Sequence, residues 1–403
     1  MNVRLNAKEI NLNSKIEITG SKSETNRLLL LKALYPNIVI ENASNSDDSE
    51  VMNSALTANH IIDVHHAGTA MRFLTAYFAS QENKTVTLTG SSRMKERPIK
   101  ILVDALIQLG AKIEYLENDG FPPIKISGQK LNSCRVSLPA NVSSQYISAL
   151  LLIAPSLQNG LELELIGEIT SIPYINMTLK LLNEINVETT FVNNKIVVKP
   201  LDQDPKSKTL IVESDWSSAS YFYSIIALSK AGTQIELSNF KENSLQGDAI
   251  LATIYEQMGV ETHFNDGKIT LVKTQNSIKQ NIVLDLNSAP DIAQTIAVTA
   301  FGLGIGCQLT GLHTLKIKET DRLEALQIEL SKLGAPISVT NDSLKIEPSK
   351  SINSNQNIAT YNDHRMAMAF APLALKKNIN IENAEVVSKS YPNPVPSLSI
   401  EFK

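Results

Sequence analysis

The sequence predicts an α/β protein of two similar domains, each built from about three copies of a unit that runs helix, strand, helix, strand, turn, strand. Three observations carry this. Segments that begin with small polar residues and run into apolar helices recur near Ser23, Gly68, Ser143, Ser217, Pro290 and Asp363, at gaps of about 45, 75, 74, 73 and 73 residues. In the full-length copies a second helix follows, with apolar residues spaced i, i+3, i+4. At 403 residues the chain is long enough for two cores rather than one.

Taken in order, a strand-like run at 15–19 leads through Gly20-Ser21-Lys22-Ser23-Glu24-Thr25-Asn26-Arg27 into an apolar helix at 28–34. The strand Val39-Ile40-Glu41-Asn42 follows. After Leu56-Thr57-Ala58 the chain passes through Ile61-Ile62-Asp63-Val64 straight to the next helix start, so the first unit is short by roughly 25–30 residues and has no room for a hairpin. Later copies place strands at 86–90, 163–167, 235–238, 308–311 and 379–382, and amphipathic helices at 99–109, 175–185, 249–258 and 323–333. Those helices stop at Gly110, Asn186, Gly259 and Gly334, residues suited to a left-handed cap. Hairpins then turn at Asn118-Asp119-Gly120, Asn193-Asn194, Asn265-Asp266-Gly267 and Asn341-Asp342. The sixth unit runs out at Lys403 without its second half, and strands at 3–5 and 15–19 are expected to complete it. The chain then crosses between domains at Gly20 and again near 212–214. The first domain is expected at 21–213 and the second at 1–20 plus 214–403, with the active site in the cleft between them.

Composition narrows the function. The chain is 43% hydrophobic and 19% charged, with a net charge of −4, which gives no general attraction to nucleic acid or acidic membranes. The first residues carry no apolar signal region. The longest apolar runs, near 149–157 and 366–375, are too short to span a bilayer. Cys134 and Cys307 lie far from any CxxC or Cys/His cluster and are expected to be free thiols. A cytoplasmic protein without nucleic-acid or membrane partners is the expectation.

The six helix starts are rich in Gly, Ser, Thr, Asp and Asn, which ordinary capping explains. Capping does not explain Lys22 and Arg27 at the first start or Arg365 at the last. Cations oppose the dipole at a helix N-terminus, by a few tenths to about 1 kcal/mol each. They suit that place when an anion from outside the protein, such as a phosphate, completes it. If the repeats pack symmetrically, the helix N-termini of each domain point to a common end. Two loops add cations: Ser92-Arg93-Met94-Lys95-Glu96-Arg97-Pro98, with Pro98 expected at the first helical position, and Lys316-Ile317-Lys318-Glu319-Thr320-Asp321-Arg322. Neither a GxxxxGK[ST] P-loop nor a GxSxG elbow is present. Gly302, Gly304 and Gly306 lack dinucleotide spacing, and His65-His66 has no partners at metal-ligand spacing. What remains is a site for small polyanions, with Asp291 and Glu319 as acid/base carboxylates beside the cations.

Six motifs, in order along almost the whole chain, resemble those of the 5-enolpyruvylshikimate-3-phosphate synthase family (3-phosphoshikimate 1-carboxyvinyltransferases). They are Gly20-Ser21-Lys22-Ser23, Ala67-Gly68-Thr69-Ala70-Met71-Arg72, Arg93-Met94-Lys95-Glu96-Arg97-Pro98, Ser143-Ser144-Gln145, Lys318-Glu319-Thr320-Asp321-Arg322 and Asn362-Asp363-His364-Arg365. The resemblance implies two domains of three βαβαββ units each, an inside-out α/β barrel arrangement, here with the first unit shortened. It implies enolpyruvyl transfer from phosphoenolpyruvate to the 5-hydroxyl of shikimate 3-phosphate by addition and elimination, with loss of phosphate, by a monomer using no metal or redox cofactor. By motif match, Lys22, Ser23, Arg27, Ser143, Ser144, Gln145, Ser171, Asp291 and Lys318 would hold shikimate 3-phosphate, with Tyr174 against its ring. Lys22, Gly68, Arg97, Gln145, Arg322, Arg365 and Lys389 would hold phosphoenolpyruvate. Asp291 would be the base at the 5-hydroxyl and Glu319 the acid/base at the methylene carbon, assisted by Lys22 and His364.

The charges agree with that reading. Two phosphate monoesters and two carboxylates carry roughly −5 to −6 in all, against the seven cations Lys22, Arg27, Arg97, Lys318, Arg322, Arg365 and Lys389. Without substrate these cations are expected to repel and hold the domains open. Three positions depart from the family pattern: His66 stands where Asn is frequent, Phe73 where Pro is common, and Thr314 where a ligand-contacting Asn is expected. Two rivals are a UDP-N-acetylglucosamine enolpyruvyl transferase, which relies on a loop cysteine, and a non-catalytic anion-binding relative. The placement of both cysteines outside the anion motifs argues against the first. The presence of Asp291, Glu319 and Lys22 argues against the second.

Overall fold

The computed structural model describes residues 1–6, 13–140, 143–169, 172–201, 203, 205–274 and 278–389. The chain divides into a central unit, Gly20–Val212, and a terminal unit made of Met1–Thr19 with Glu213–Lys403. The central unit carries helices α1 (Lys22–Leu34), α2 (Asp47–Thr57), α3 (Gly68–Ala79), α4 (Ser92–Lys95), α5 (Lys100–Leu109), α6 (Ser144–Ile153) and α7 (Ile172–Glu184). The terminal unit carries α8 (Trp216–Leu228), α9 (Leu251–Glu256), α10 (Ala293–Leu303), α11 (Arg322–Lys332) and α12 (His364–Phe370).

Two kinds of helix alternate, and their sequences dictate where each sits. Helices α3, α6, α8, α10 and α12 are buried on nearly every face. A helix apolar all round has to lie inside, so α1, α3 and α6 pack on one another in the central unit, as α8, α10 and α12 do in the terminal unit. The helices α5, α7 and α11 each keep an exposed polar face. The sheets lie outside the buried helices and read accordingly. In Leu161–Ile166 the leucines 161, 163 and 165 are buried and Glu162 and Glu164 are exposed, the period-2 pattern of a sheet wet on one side.

Each complete repeat makes one four-stranded sheet with a parallel pair on one side and a hairpin on the other. His60–Asp63 runs parallel to Thr85–Thr89, which pairs antiparallel with Ile124–Ser127, itself paired with Lys112–Tyr115. The sheets led by Arg135–Pro139 and Asn281–Asp285 follow the same order. The caps behave as the sequence requires: Gly110 and Asn186 close α5 and α7 with φ of +106° and +67°.

Two expectations need correction. Val3–Leu5 does pair with Ile379–Ile381 of the sixth repeat. Asn13–Ile16 does not join it; this strand runs parallel to Gln234–Ser238 of the fourth repeat. Reciprocally, Lys208–Ile211, which precedes α8, runs parallel to Ile38–Glu41, which follows α1. The chain crosses between a leading strand and its helix, so each leading strand stays in the unit it came from. The second correction is local. Helix α5 begins at Lys100 with Ile99 as its cap, so Pro98 stands ahead of the helix. Its carbonyl accepts hydrogen bonds from Arg72 Nη2 (3.0 Å) and the Tyr146 hydroxyl (2.6 Å).

Gly20 marks the entry into the central unit. A Cβ there would stand 1.9 Å from the carbonyl oxygen of Asn42, so only glycine lets the backbone pass. Among the described residues no helix is long and apolar enough to cross a membrane.

Candidate active site

In the central unit three buried helices carry expected site residues at their starts. Lys22 opens α1 and makes an ion pair with Asp48 of α2 at 3.3 Å. Arg27, one turn further, is buried. Its Nε donates to Thr178 Oγ1 (2.8 Å), Nη1 to the Ser23 carbonyl (2.6 Å) and Nη2 to Ser148 Oγ (3.0 Å), tying α1 to α7 and α6. The guanidinium lies 5.5 Å from the Phe73 ring centre and 5.8 Å from that of Tyr174, within cation–π range. Burial pulls its pKa down to about 10, which leaves it charged at neutral pH.

Gly68 opens α3, and Arg97 fills the space its side chain would need. A Cβ on Gly68 would lie 2.6 Å from Arg97 Nη1. Ser143 caps α6 by accepting from the Gln145 N–H (3.4 Å), and Gln145 Nε2 donates to Thr69 Oγ1 (3.0 Å), joining the starts of α6 and α3. Beneath them Arg72, buried, donates to the carbonyls of Gly68 (3.2 Å) and Pro98. Burial first, and then Arg97, lower its pKa to about 10. Gly68, Arg97, Ser143, Ser144 and Gln145 lie at the joined starts of α3 and α6, and Lys22, Ser23 and Arg27 lie in the first turns of α1, which Arg27 ties to α6 and α7; helix starts are places where free N–H groups and helix dipoles favour anions. Ser171 lies outside the described residues.

The terminal unit builds its cluster around one arginine. Arg322 opens α11, is 2% exposed, and spreads its guanidinium over three carboxylates. Nε donates to Asp363 Oδ2 (2.7 Å), Nη1 to Asp291 Oδ1 (2.8 Å) and Nη2 to Glu319 Oε2 (2.8 Å). Burial alone would depress its pKa. Asp363, Glu319 and Asp291 outweigh burial and hold it above the ordinary arginine value. Asp291 is shared further, with Lys318 at 3.4 Å and Arg365 at 3.6 Å. Arg365 also donates to the Asp291 carbonyl (3.0 Å) and to Ser217 Oγ (3.3 Å). Its pKa is likewise raised, burial being overcome by Asp291 and other anionic neighbours. Asp363 caps α12 through the Arg365 N–H (2.9 Å), and His364 beside it is buried. Lys389 ends the helical turn Ala384–Lys389; its side chain lies outside what is described.

Charge pairing within each unit answers part of the positive charge. Lys22, Lys318, Arg322 and Arg365 each have a carboxylate of their own unit within ion-pair distance. Their positive charge is already answered, which explains how Arg322 tolerates full burial.

Several contributors were absent from the residues expected from sequence. Asp363 stands in its motif at a helix start, and a cap carboxylate two residues before an arginine is a usable signal. Asp48, Ser148 and Thr178 sit in helices without any local mark, whereas Ser217 stands at one of the six helix starts. Asp248, buried, accepts from Ser217 Oγ. Burial first, and then the charge of Asp291, raise its carboxyl to about 6. Of the three departures from the family pattern, Phe73 packs under Arg27. His66 Nδ1 lies 3.0 Å from Ser91 Oγ. The Thr314 hydroxyl is buried without a hydrogen-bond partner among the described residues.

Comparison with known proteins adds the following. The family model for EPSP synthase (3-phosphoshikimate 1-carboxyvinyltransferase) matches residues 53–398. A 3-phosphoshikimate 1-carboxyvinyltransferase of Bacteroides fragilis (strain YCH46) is 46% identical over 387 residues, covering 94% of this chain and 93% of the relative. One from Colwellia psychrerythraea is 37% identical, covering 95% of each. Among solved structures, an EPSP synthase from Acinetobacter baumannii superposes with a TM-score of 0.78 at 20% identity, covering 97% of this chain and 96% of that one. The enolpyruvyl transferase NikO from Streptomyces tendae superposes with a TM-score of 0.71 at 14% identity, covering 98% and 96%. At those identities the structural likeness speaks for the fold.

Proposed function

The chain belongs to the EPSP synthase family and transfers the enolpyruvyl group of phosphoenolpyruvate to shikimate 3-phosphate, the shikimate-pathway step toward aromatic amino acids; from that premise we propose how its residues divide the work. The observation that carries the assignment is the convergence of Asp291, Glu319 and Asp363 on Arg322, with Lys318 and Arg365 on Asp291. This sets two acid/base carboxylates beside cations able to take up a phosphate and a carboxylate.

In this reading shikimate 3-phosphate is held by Lys22, Ser23, Arg27, Ser143, Ser144, Gln145, Ser171, Asp291 and Lys318. Phosphoenolpyruvate is held by Lys22, Gly68, Arg97, Gln145, Arg322, Arg365 and Lys389. Glu319 delivers a proton to the methylene carbon of phosphoenolpyruvate, leaving cationic character at the adjacent carbon. Asp291 takes the proton of the 5-hydroxyl as that oxygen bonds to the same carbon. The tetrahedral adduct then loses inorganic phosphate, and the methyl group returns its proton to restore the double bond. Lys22 and His364 assist. The anionic substrates draw Lys318, Arg322 and Arg365 away from Asp291, which raises its basicity when the 5-hydroxyl arrives. The enzyme works as a monomer in the cytoplasm, to be checked by sedimentation and by fractionation.

Phosphate release from phosphoenolpyruvate, measured with shikimate 3-phosphate and with UDP-N-acetylglucosamine, tests the assignment. Release only with the first acceptor is expected; none with it would sink the reading. Cys307, buried with its thiol pushed up to about 12, is unsuited to serve the second acceptor's chemistry. A Gly68→Ala variant probes the Arg97 contact. The added Cβ must push the guanidinium aside, so KM for phosphoenolpyruvate should rise about tenfold, the equivalent of one displaced contact. The dissociation constant for shikimate 3-phosphate should stay within about twofold. Equal weakening of both ligands would refute the placement of Arg97 on phosphoenolpyruvate.

A further inference from the structure

Seven residues beyond the N-terminus of α11, on the helix that Arg322 opens, lies a carboxylate that the mechanism leaves unused. Glu329 is fully buried, 0% exposed. It accepts the Tyr361 hydroxyl (2.7 Å), the Ala359 N–H (3.2 Å) and two contacts from Lys332 Nζ (2.9 and 2.8 Å). Lys332 in turn reaches the Asn357 carbonyl at 3.3 Å. Helix α11 thus grips the segment 357–361 from one end and Asp363 from the other, through Arg322. Between the grips the chain makes a turn in which Tyr361 and Asn362 both take the left-handed conformation, with φ of +53° and +55°. A tyrosine rarely adopts that conformation unless its surroundings compel it. The turn closes with the Asp363 N–H on the Thr360 carbonyl (2.8 Å), and His364 and Arg365 follow at once.

We propose that Glu329 is a positioning residue for the reaction, holding the Tyr361-Asn362 turn so that His364 and Arg365 are presented at the start of α12. The inference rests on the assignment of Arg322 and Arg365 to phosphoenolpyruvate. Glu329 touches no substrate; it acts through Tyr361 and Ala359. Lys332 compensates its charge, so a carboxylate rather than an amide is kept in the interior. An amide oxygen can serve the tyrosine or the backbone N–H, but not both along with the ammonium.

The test uses the full chain with Tyr361→Phe, Glu329→Gln and the double variant. Tyr361→Phe removes one hydroxyl and keeps the ring. Its KM for phosphoenolpyruvate should rise about 10- to 20-fold, the low end for the loss of one hydrogen bond to a charged group. Glu329→Gln should raise it by about 30-fold or more, and the double variant should be no worse than Glu329→Gln alone, because both act on one contact. Affinity for shikimate 3-phosphate should not change. A merely structural role would lower the melting temperature and the active fraction while leaving KM for phosphoenolpyruvate in place, and that result overturns the proposal. Amide exchange over 359–365 is the second readout. It should quicken in both single variants relative to the rest of the terminal unit, and an unchanged pattern overturns the clamp whatever the turnover. If Glu329→Gln does not fold, Tyr361→Phe decides by the same two measurements. A wild-type chain without turnover refutes the functional assignment, not the clamp, which the exchange data test by themselves.

Discussion

Replacing Glu319 by Gln is expected to lower kcat by about 10²- to 10⁴-fold, the range for loss of a positioned general acid or base. The amide keeps the shape of the side chain and still accepts from Arg322 Nη2, a bond of 2.8 Å in the wild-type chain. Arg322 therefore stays where it is, and KM for phosphoenolpyruvate and for shikimate 3-phosphate should each remain within about threefold. What the amide cannot do is exchange a proton with a carbon atom. The two substrates should still bind, as calorimetry would register, and phosphate release should nearly stop. An unchanged kcat would remove Glu319 from the acid/base role. A lowered kcat with equally weakened binding of phosphoenolpyruvate would instead make it a partner of Arg322 alone.

The second large effect concerns Arg322 itself. Arg322→Lys preserves the charge but not the planar fork that reaches Asp363, Asp291 and Glu319 at once. At least two of three charge-assisted hydrogen bonds are lost, each worth about 1.5–3 kcal/mol. One of them leaves Asp363, which is fully buried, short of a partner. Stability in denaturant titrations should fall by roughly 3–6 kcal/mol. The ratio kcat/KM for phosphoenolpyruvate should fall by about 10²- to 10³-fold. A variant within about threefold of wild type on that ratio would show that Arg322 serves the fold and not the substrate. The two measurements separate these roles because loss of stability alone does not change KM in the fraction that remains folded.

Much of the architecture was legible because its signals are local. Caps, cations and apolar periodicity lie within a few residues of one another at Gly20–Arg27, at Gly68 and at Asp363, so the six helix starts could be found without knowing the packing. Partners were not legible. Nothing near Lys22 announces Asp48, and nothing in α11 marks Glu329 as more than one polar residue on a helix face, because each acquires its meaning from an element elsewhere in the chain. The same limit explains the strand Asn13–Ile16. The alternating run at 15–19 specifies a strand and one buried face, but it does not specify a neighbour. Its neighbour, Gln234–Ser238, lies more than 200 residues away. Charge was the other blind spot. Seven cations counted along a sequence do not show which carboxylates the fold sets beside them; Asp48, Asp291, Glu319 and Asp363 stand within ion-pair distance of four.

The exchange of leading strands at the two crossings has a consequence in time. The central unit is one continuous stretch and can be completed as soon as Val212 has been synthesised. The terminal unit is not. Val3–Leu5 and Asn13–Ile16 are made before the central unit, yet their partners, Ile379–Ile381 and Gln234–Ser238, come after the whole of it. At translation speeds of about 5–20 residues per second, the roughly 190 residues beyond Val212 take about 10–40 s. Val3–Leu5 waits unpaired through nearly all of that interval and Asn13–Ile16 through its first few seconds, the exposure that invites pairing with another chain. Order of birth, rather than final stability, is therefore where this enzyme is most open to misassembly, and a chaperone that binds nascent chains would be expected to engage Val3–Leu5 and Asn13–Ile16.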